Sequence, residues 1–177
     1  MSMRKKSVPH RGKRVIAIIC ALLFVTPFVY AKKYPFTMKR TFDVSLVKLG
    51  KEGTYYVKAW GTANNADKAI AQAQQNAVAA CLFWGLDGGI EGASPQPAMC
   101  KDGIAAYEEN KKYFDDFFKK GYFLNYVENV NQGYPTGQNN LRVKGGRKVG
   151  IHLLIKKDAL RKKLEKDGII KSINSYF

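Results

Sequence analysis

After residue 31, three side chains have the chemistry for a nucleophile, a base or a soft metal ligand: Cys81, Cys100 and His152. In an oxidising compartment, two such cysteines read first as a disulfide. On the chain-entropy account, closing a loop of about 20 residues stabilises the fold by roughly 3 kcal/mol. The alternative is a thiol enzyme or hydrolase in which His152 activates Cys81. A zinc site needs three or four N/S ligands at short spacing, and these three residues are too widely scattered to supply one.

Other reactive-looking stretches have simpler readings. Gly85-Leu-Asp-Gly-Gly-Ile-Glu-Gly92 follows a helix pattern rather than a strand and lacks the order of a phosphate-binding loop. The acids Glu108, Glu109, Asp115 and Asp116 fall on the solvated side of a charged helix. There Glu108 with Lys112, Asp115 with Lys119 and Asp116 with Lys120 form i, i+4 pairs, so they do not read as a glycosidase carboxylate pair. No cofactor motif or catalytic set emerges. The densest basic cluster is Arg142, Lys144, Arg147 and Lys148, with Tyr134 nearby: a candidate anion site for an acidic glycan or a lipid headgroup.

The elements that must position these groups can be read from periodicity. Thr41–Leu49 alternates, with Phe42, Val44 and Leu46 on one face; Gly50–Gly53 turns the chain; Thr54–Trp60 is rich in aromatic and β-branched residues. Together they predict a β-hairpin. A helix follows, N-capped by Asn64 or Asn65 with Asp67 in its first turn. Ala66, Ala69, Ile70, Ala73, Ala77, Ala80 and Cys81 share an arc of about 120°, with Lys68, Gln72 and Gln75 outside it and Ala79 on the polar side. So thin a buried stripe predicts close approach to a sheet, with Phe42 and Trp60 supplying the bulk. Leu82–Gly103, rich in Gly and Pro, reads as a long loop. Ala106–Lys120 reads as one helix burying Tyr107, Phe114, Phe117 and Phe118, and Gly121 stops it. Strands are expected at Tyr122–Val130 and Lys148–Ile155, then a helix from Asp158 to a Gly168 stop. The order ββααββα predicts an α+β fold, helices packed on one face of an antiparallel sheet.

The N-terminus places this domain. Residues 1–14 hold six basic and no acidic residues, Val15–Tyr30 is apolar, and Val29-Tyr30-Ala31 suits signal cleavage. The run is shorter than the roughly 20 residues that span a bilayer, so residues 1–31 read as a signal peptide, with an uncleaved membrane anchor as the alternative. Residues 32–40 then form a leader and 41–177 a single domain, exported to the periplasm or cell surface. Of 30 basic and 14 acidic residues, the remainder keeps 24 and 14, a charge of +10. A basic field of this size favours an acidic surface, an envelope protein partner or peripheral membrane contact; nucleic acid is not an expected partner of an exported chain.

Val57-Lys-Ala-Trp-Gly61 running into Ala66-Asp-Lys-Ala-Ile-Ala-Gln-Ala-Gln-Gln-Asn-Ala77 resembles the strand, glycine and alanine-rich helix of the N-terminal domain of flagellar assembly protein T and of related small outer-membrane lipoproteins. Gly150–Gly168 is similar to the strand–helix close of those domains. Together with Lys111-Lys-Tyr-Phe-Asp-Asp-Phe-Phe118, these stretches resemble small exported proteins of Bacteroidota with no assigned activity. The resemblance implies a non-enzymatic envelope module and supplies no catalytic residues. Cys20 lies inside the apolar run without the small preceding residue of a lipid-attachment site, a departure from the lipoprotein members.

Overall fold

The structure, a computed structural model, describes residues 33–38, 42–89, 92–131 and 133–171, all within one compact unit, Lys32–Phe177. The expected signal segment, Cys20 included, lies outside the described residues. In chain order the elements are β1 (Val44–Leu49), β2 (Tyr55–Ala63), α1 (Ala66–Phe83), α2 (Ile104–Glu109), α3 (Lys111–Lys119), β3 (Val127–Asn129), β4 (Asn140–Val143), β5 (Gly146–Ile155) and α4 (Lys157–Lys166). One antiparallel sheet runs β1-β2-β5-β3, and β4 also pairs with β5, on the stretch that β3 leaves free. This is the expected α+β class. The strand expected over 122–130 is mostly a 3-10 turn, Tyr122–Tyr126, and only Val127–Asn129 joins the sheet.

Period-2 alternation decides the two faces of the sheet. Val57 and Ala59 of β2 and Val149, Ile151, Leu153 and Ile155 of β5 are fully buried on the side that meets α1. Their neighbours Tyr56, Lys58, Trp60, Lys148, His152 and Leu154 are half-buried on the other side. Trp60 therefore does not supply bulk against α1, as the sequence predicts, but points away from it. At the contact the sheet is as thin as the helix: a Cβ on Gly61 would sit 2.0 Å from the Ala69 carbonyl oxygen and 2.5 Å from the Ala73 amide nitrogen. Backbone meets backbone there, so glycine faces an alanine stripe.

Helix α1 begins as expected, with the Asn65 side chain accepting from the Lys68 amide. The polar arc survives only in part: Lys68 is exposed and Gln72 half-buried. Gln75, Asn76 and Ala79 are buried, as is every residue from Asn76 to Phe83. One amphipathic stripe assumes one buried side, whereas α1 has two. On its far side, Phe83 packs edge-on against Tyr107 of α2 and Phe114 of α3, with centroids 5.7 and 4.8 Å away. Phe36, expected in the leader, stacks on Phe118 at 3.9 Å and belongs to the core.

The expected helix over Ala106–Lys120 breaks at Asn110, where φ is −112° and ψ is 30°. The Asn110 side chain donates to the Ala106 carbonyl, the local competition with helical bonding typical of asparagine. The break separates Glu108 from Lys112. Asp115 instead receives both Lys111 and Lys119, at 3.4 and 2.9 Å, and Asp116 pairs with Lys120 at 2.9 Å.

The expected Cys81–Cys100 disulfide is not formed, and both residues are buried free thiols. Backbone hydrogen bonds restrain the loop in its place. The Met99 amide donates to the Cys81 carbonyl, the Cys100 amide to the Leu82 carbonyl, and Leu86 and Gln96 exchange a bridge.

Candidate functional site

The half-open face of the sheet brings several aromatic and cationic groups together. On β2, residues Tyr56, Lys58 and Trp60 point the same way because they are two apart. Across the β2–β5 register, Trp60 faces Gly150, Lys58 faces His152 and Thr62 faces Lys148. Glycine opposite tryptophan has a steric consequence. A Cβ on Gly150 would lie 2.9 Å from three atoms of the Trp60 ring, so the indole lies against the β5 backbone where any other residue would displace it.

Two ammonium groups approach that ring, Lys58 Nζ at 5.1 Å and Lys148 Nζ at 5.0 Å from its centroid, within the range of cation–π attraction. Lys148 also pairs with Asp43 at 2.8 Å. A second aromatic station sits at the other end of β2: Tyr56 stacks on His152 with centroids 5.6 Å apart and planes 5° from parallel, and Lys48 Nζ lies 5.5 Å from the Tyr56 centroid. Lys48 reaches this face through an irregularity in β1. The register shifts between Leu46 and Lys48, so that Lys48 is opposite Tyr56 instead of Tyr55. An extra residue in a strand re-aims the side chains that follow it.

Burial and the neighbouring Lys58 hold the His152 imidazole below its ordinary range, so it is neutral at pH 7. At neutral pH the charge of this face therefore comes from lysines. Glu128, opposite Leu154 in the β3–β5 register, pairs with Lys156 at 3.7 Å, and with Asp43 it is the acidic counterweight here.

The basic residues singled out in the sequence divide between places. Arg142 and Arg147 are cross-strand partners on the β4–β5 hairpin and, with Asn64 and Gly145, line a cavity of about 350 Å³. Arg147 Nη1 donates to Asn140 Oδ1 at 3.1 Å. Lys144 is exposed at the hairpin turn. Lys148 faces the opposite way, over Trp60. Alternation along β5 thus separates Arg147 from Lys148, which adjacency in sequence had grouped together. Lys48, Tyr56 and Lys58 were not singled out as site residues in the sequence, and Trp60 entered only as bulk against α1. Their signal was the pattern Tyr56-x-Lys58-x-Trp60, visible only once the buried face of β2 is known.

The Cys81–His152 pair is not assembled. Cys81 lies in α1 within the core, and burial pushes its thiol up to about 12; His152 is on the half-open face across the sheet. Burial likewise pushes Cys100 up to about 11, with Asp102 adding to the effect. Both thiols are protonated at neutral pH, the unreactive form. Among the described residues, no group of three or more His, Cys, Asp or Glu is placed to hold a metal ion, and no described helix is long and apolar enough to cross a membrane. No family model, curated protein or solved structure matches the chain.

Proposed function

We propose that this protein is a non-enzymatic module of the cell envelope that binds acidic glycan through the half-open face of its sheet. The observation that carries the reading is Trp60, laid against Gly150 with Lys58 and Lys148 each about 5 Å from its ring centre. An aromatic plane stacks on the apolar face of a sugar ring, while ammonium groups beside it meet carboxylate or sulfate substituents. The net charge of +10 carried after residue 31 draws such a ligand in from a distance. Export, supported by the order of residues 1–31, and the resemblance to envelope domains agree with this setting. The buried, protonated thiols weigh against the thiol-enzyme alternative.

The test is retention on immobilised polygalacturonate. Wild-type protein is expected to bind and to elute as salt rises, because exposed charges are screened over about 8–10 Å near physiological ionic strength. Trp60→Ala, and separately the double variant Lys58→Ala/Lys148→Ala, should each weaken binding roughly tenfold, about 1.4 kcal/mol. Unchanged retention by both, or binding to anionic lipid vesicles alone, overturns the assignment.

A further inference from the structure

The face has two aromatic stations rather than one, and their separation selects the form of the ligand. Tyr56 and Trp60 are four residues apart on one continuous strand, about 13 Å at the rise of an extended chain. Lys58 stands between them, Lys148 lies at the Trp60 end and Lys48 at the Tyr56 end. No single sugar ring reaches both stations. A compact anion would use one station and leave the other idle.

Resting on the glycan-binding reading above, we infer that the ligand is a linear polyuronate chain lying along β2, one ring against Trp60, another against the Tyr56–His152 stack, and carboxylates between them on Lys58. The alternation of aromatic, cation and aromatic at a period of two residues matches a polymer that repeats a flat apolar surface and a negative charge. Two devices hold this geometry. Gly150 keeps the indole against the sheet, and the β1 register shift brings Lys48 to the Tyr56 side. Asp43 pairs with Lys148 and offsets the charge at the Trp60 end, whereas Glu128 faces Lys156, so Lys58 is the cation on which the middle of the track rests.

Two linked stations make affinity depend on length, because the second contact forms at a high effective concentration. The experiment is calorimetric titration of the full domain with galacturonate monomer and with di-, tetra- and hexagalacturonate, alongside a single-stranded oligodeoxynucleotide of equal charge. Affinity is expected to rise roughly tenfold or more from the dimer to the hexamer and then to level off. Tyr56→Ala and Lys48→Ala should each remove the gain in affinity from dimer to hexamer, so that the two lengths bind alike. Gly150→Ala, which displaces the indole, should weaken both. Urea melts of each variant confirm that the fold is kept, and the paired variants keep the test open if one of them unfolds. Equal affinity for dimer and hexamer in wild-type protein overturns the extended-chain inference and leaves glycan binding standing. Binding of the oligodeoxynucleotide with no binding of any uronate, or no binding of either, overturns both.

Discussion

At the scale of single residues, the contact between Gly61 and α1 makes the sharpest claim. A methyl group at Gly61 would meet Ala69 and Ala73 backbone atoms, which are held by the helix and cannot move aside as a side chain could. Gly61→Ala and Ala73→Leu should each destabilise the domain by roughly 1–3 kcal/mol through overpacking. Ala79, fully buried, should respond to Leu in the same way, whereas Lys68→Ala on the exposed side should stay within about 0.5 kcal/mol. Urea midpoints of the four variants decide this, and a silent Ala79→Leu would restore the one-sided helix read from the sequence. The alanine stripe was legible because spacing alone displays it. The burial of Ala79 was not, because a small apolar residue fits a surface and a core equally well. His152 adds a pH dependence. Its folded pKa lies below the unfolded value of about 6.5, so the unfolded chain takes up the proton first. The His152 contribution should therefore be flat above pH 7 and lower stability as pH falls through 6.5 toward the folded value. His152→Gln should flatten that decline in melts between pH 7.5 and 5; an unchanged slope would mean that His152 does not titrate in this way.

At the scale of elements, β2 is longer than its partner β1, and the helix finishes what the strand leaves open. Among the described residues, β1 pairs with β2 as far as Ala59, followed by one bond from the Trp60 amide to the Asp43 carbonyl. Beyond that point the Trp60 carbonyl accepts from Asn76 Nδ2 at 2.7 Å, and the Thr62 amide donates to Gln72 Oε1 at 2.7 Å. Two side chains of α1 that look like surface polar residues in the sequence thus close a sheet edge, and buried Asn76 also holds the backbone of Trp60 itself. Asn76→Ala leaves that carbonyl without its partner and should cost roughly 1–3 kcal/mol; Asn76→Asp, lacking the donor, should do no better. If both variants melt like wild type, the bond carries nothing. The strands with strict alternation, β2 and β5, were legible in the sequence. β4 and the break at Asn110 were not, since a four-residue strand lies within the spread of any loop pattern and one asparagine side-chain bond ends a helix whose apolar spacing runs straight through it.

At the scale of the whole molecule, α1 is the centre of a layered structure, with the sheet on one side and the aromatic groups of α2, α3 and the segment around Phe36 on the other. The sequence foretells two layers and predicts a disulfide to secure the long loop. The structure instead secures that loop with backbone hydrogen bonds and keeps Cys81 and Cys100 as reporters of the core. Their thiols, raised to about 12 and about 11 by burial, should resist iodoacetamide at pH 8 in native protein. Raised thiol pKa values also mean that the folded state ionises later than the unfolded chain. The corresponding stability is therefore complete below about pH 9 and lost as pH climbs toward the folded values. Because both cysteines contribute to one core, their labelling in urea should follow a single transition that coincides with loss of circular dichroism. Labelling of Cys100 well before Cys81 would show that the loop opens apart from the helix, and recovery of a Cys81–Cys100 cross-link from native protein would show that covalent closure, not hydrogen bonding, holds the loop against α1.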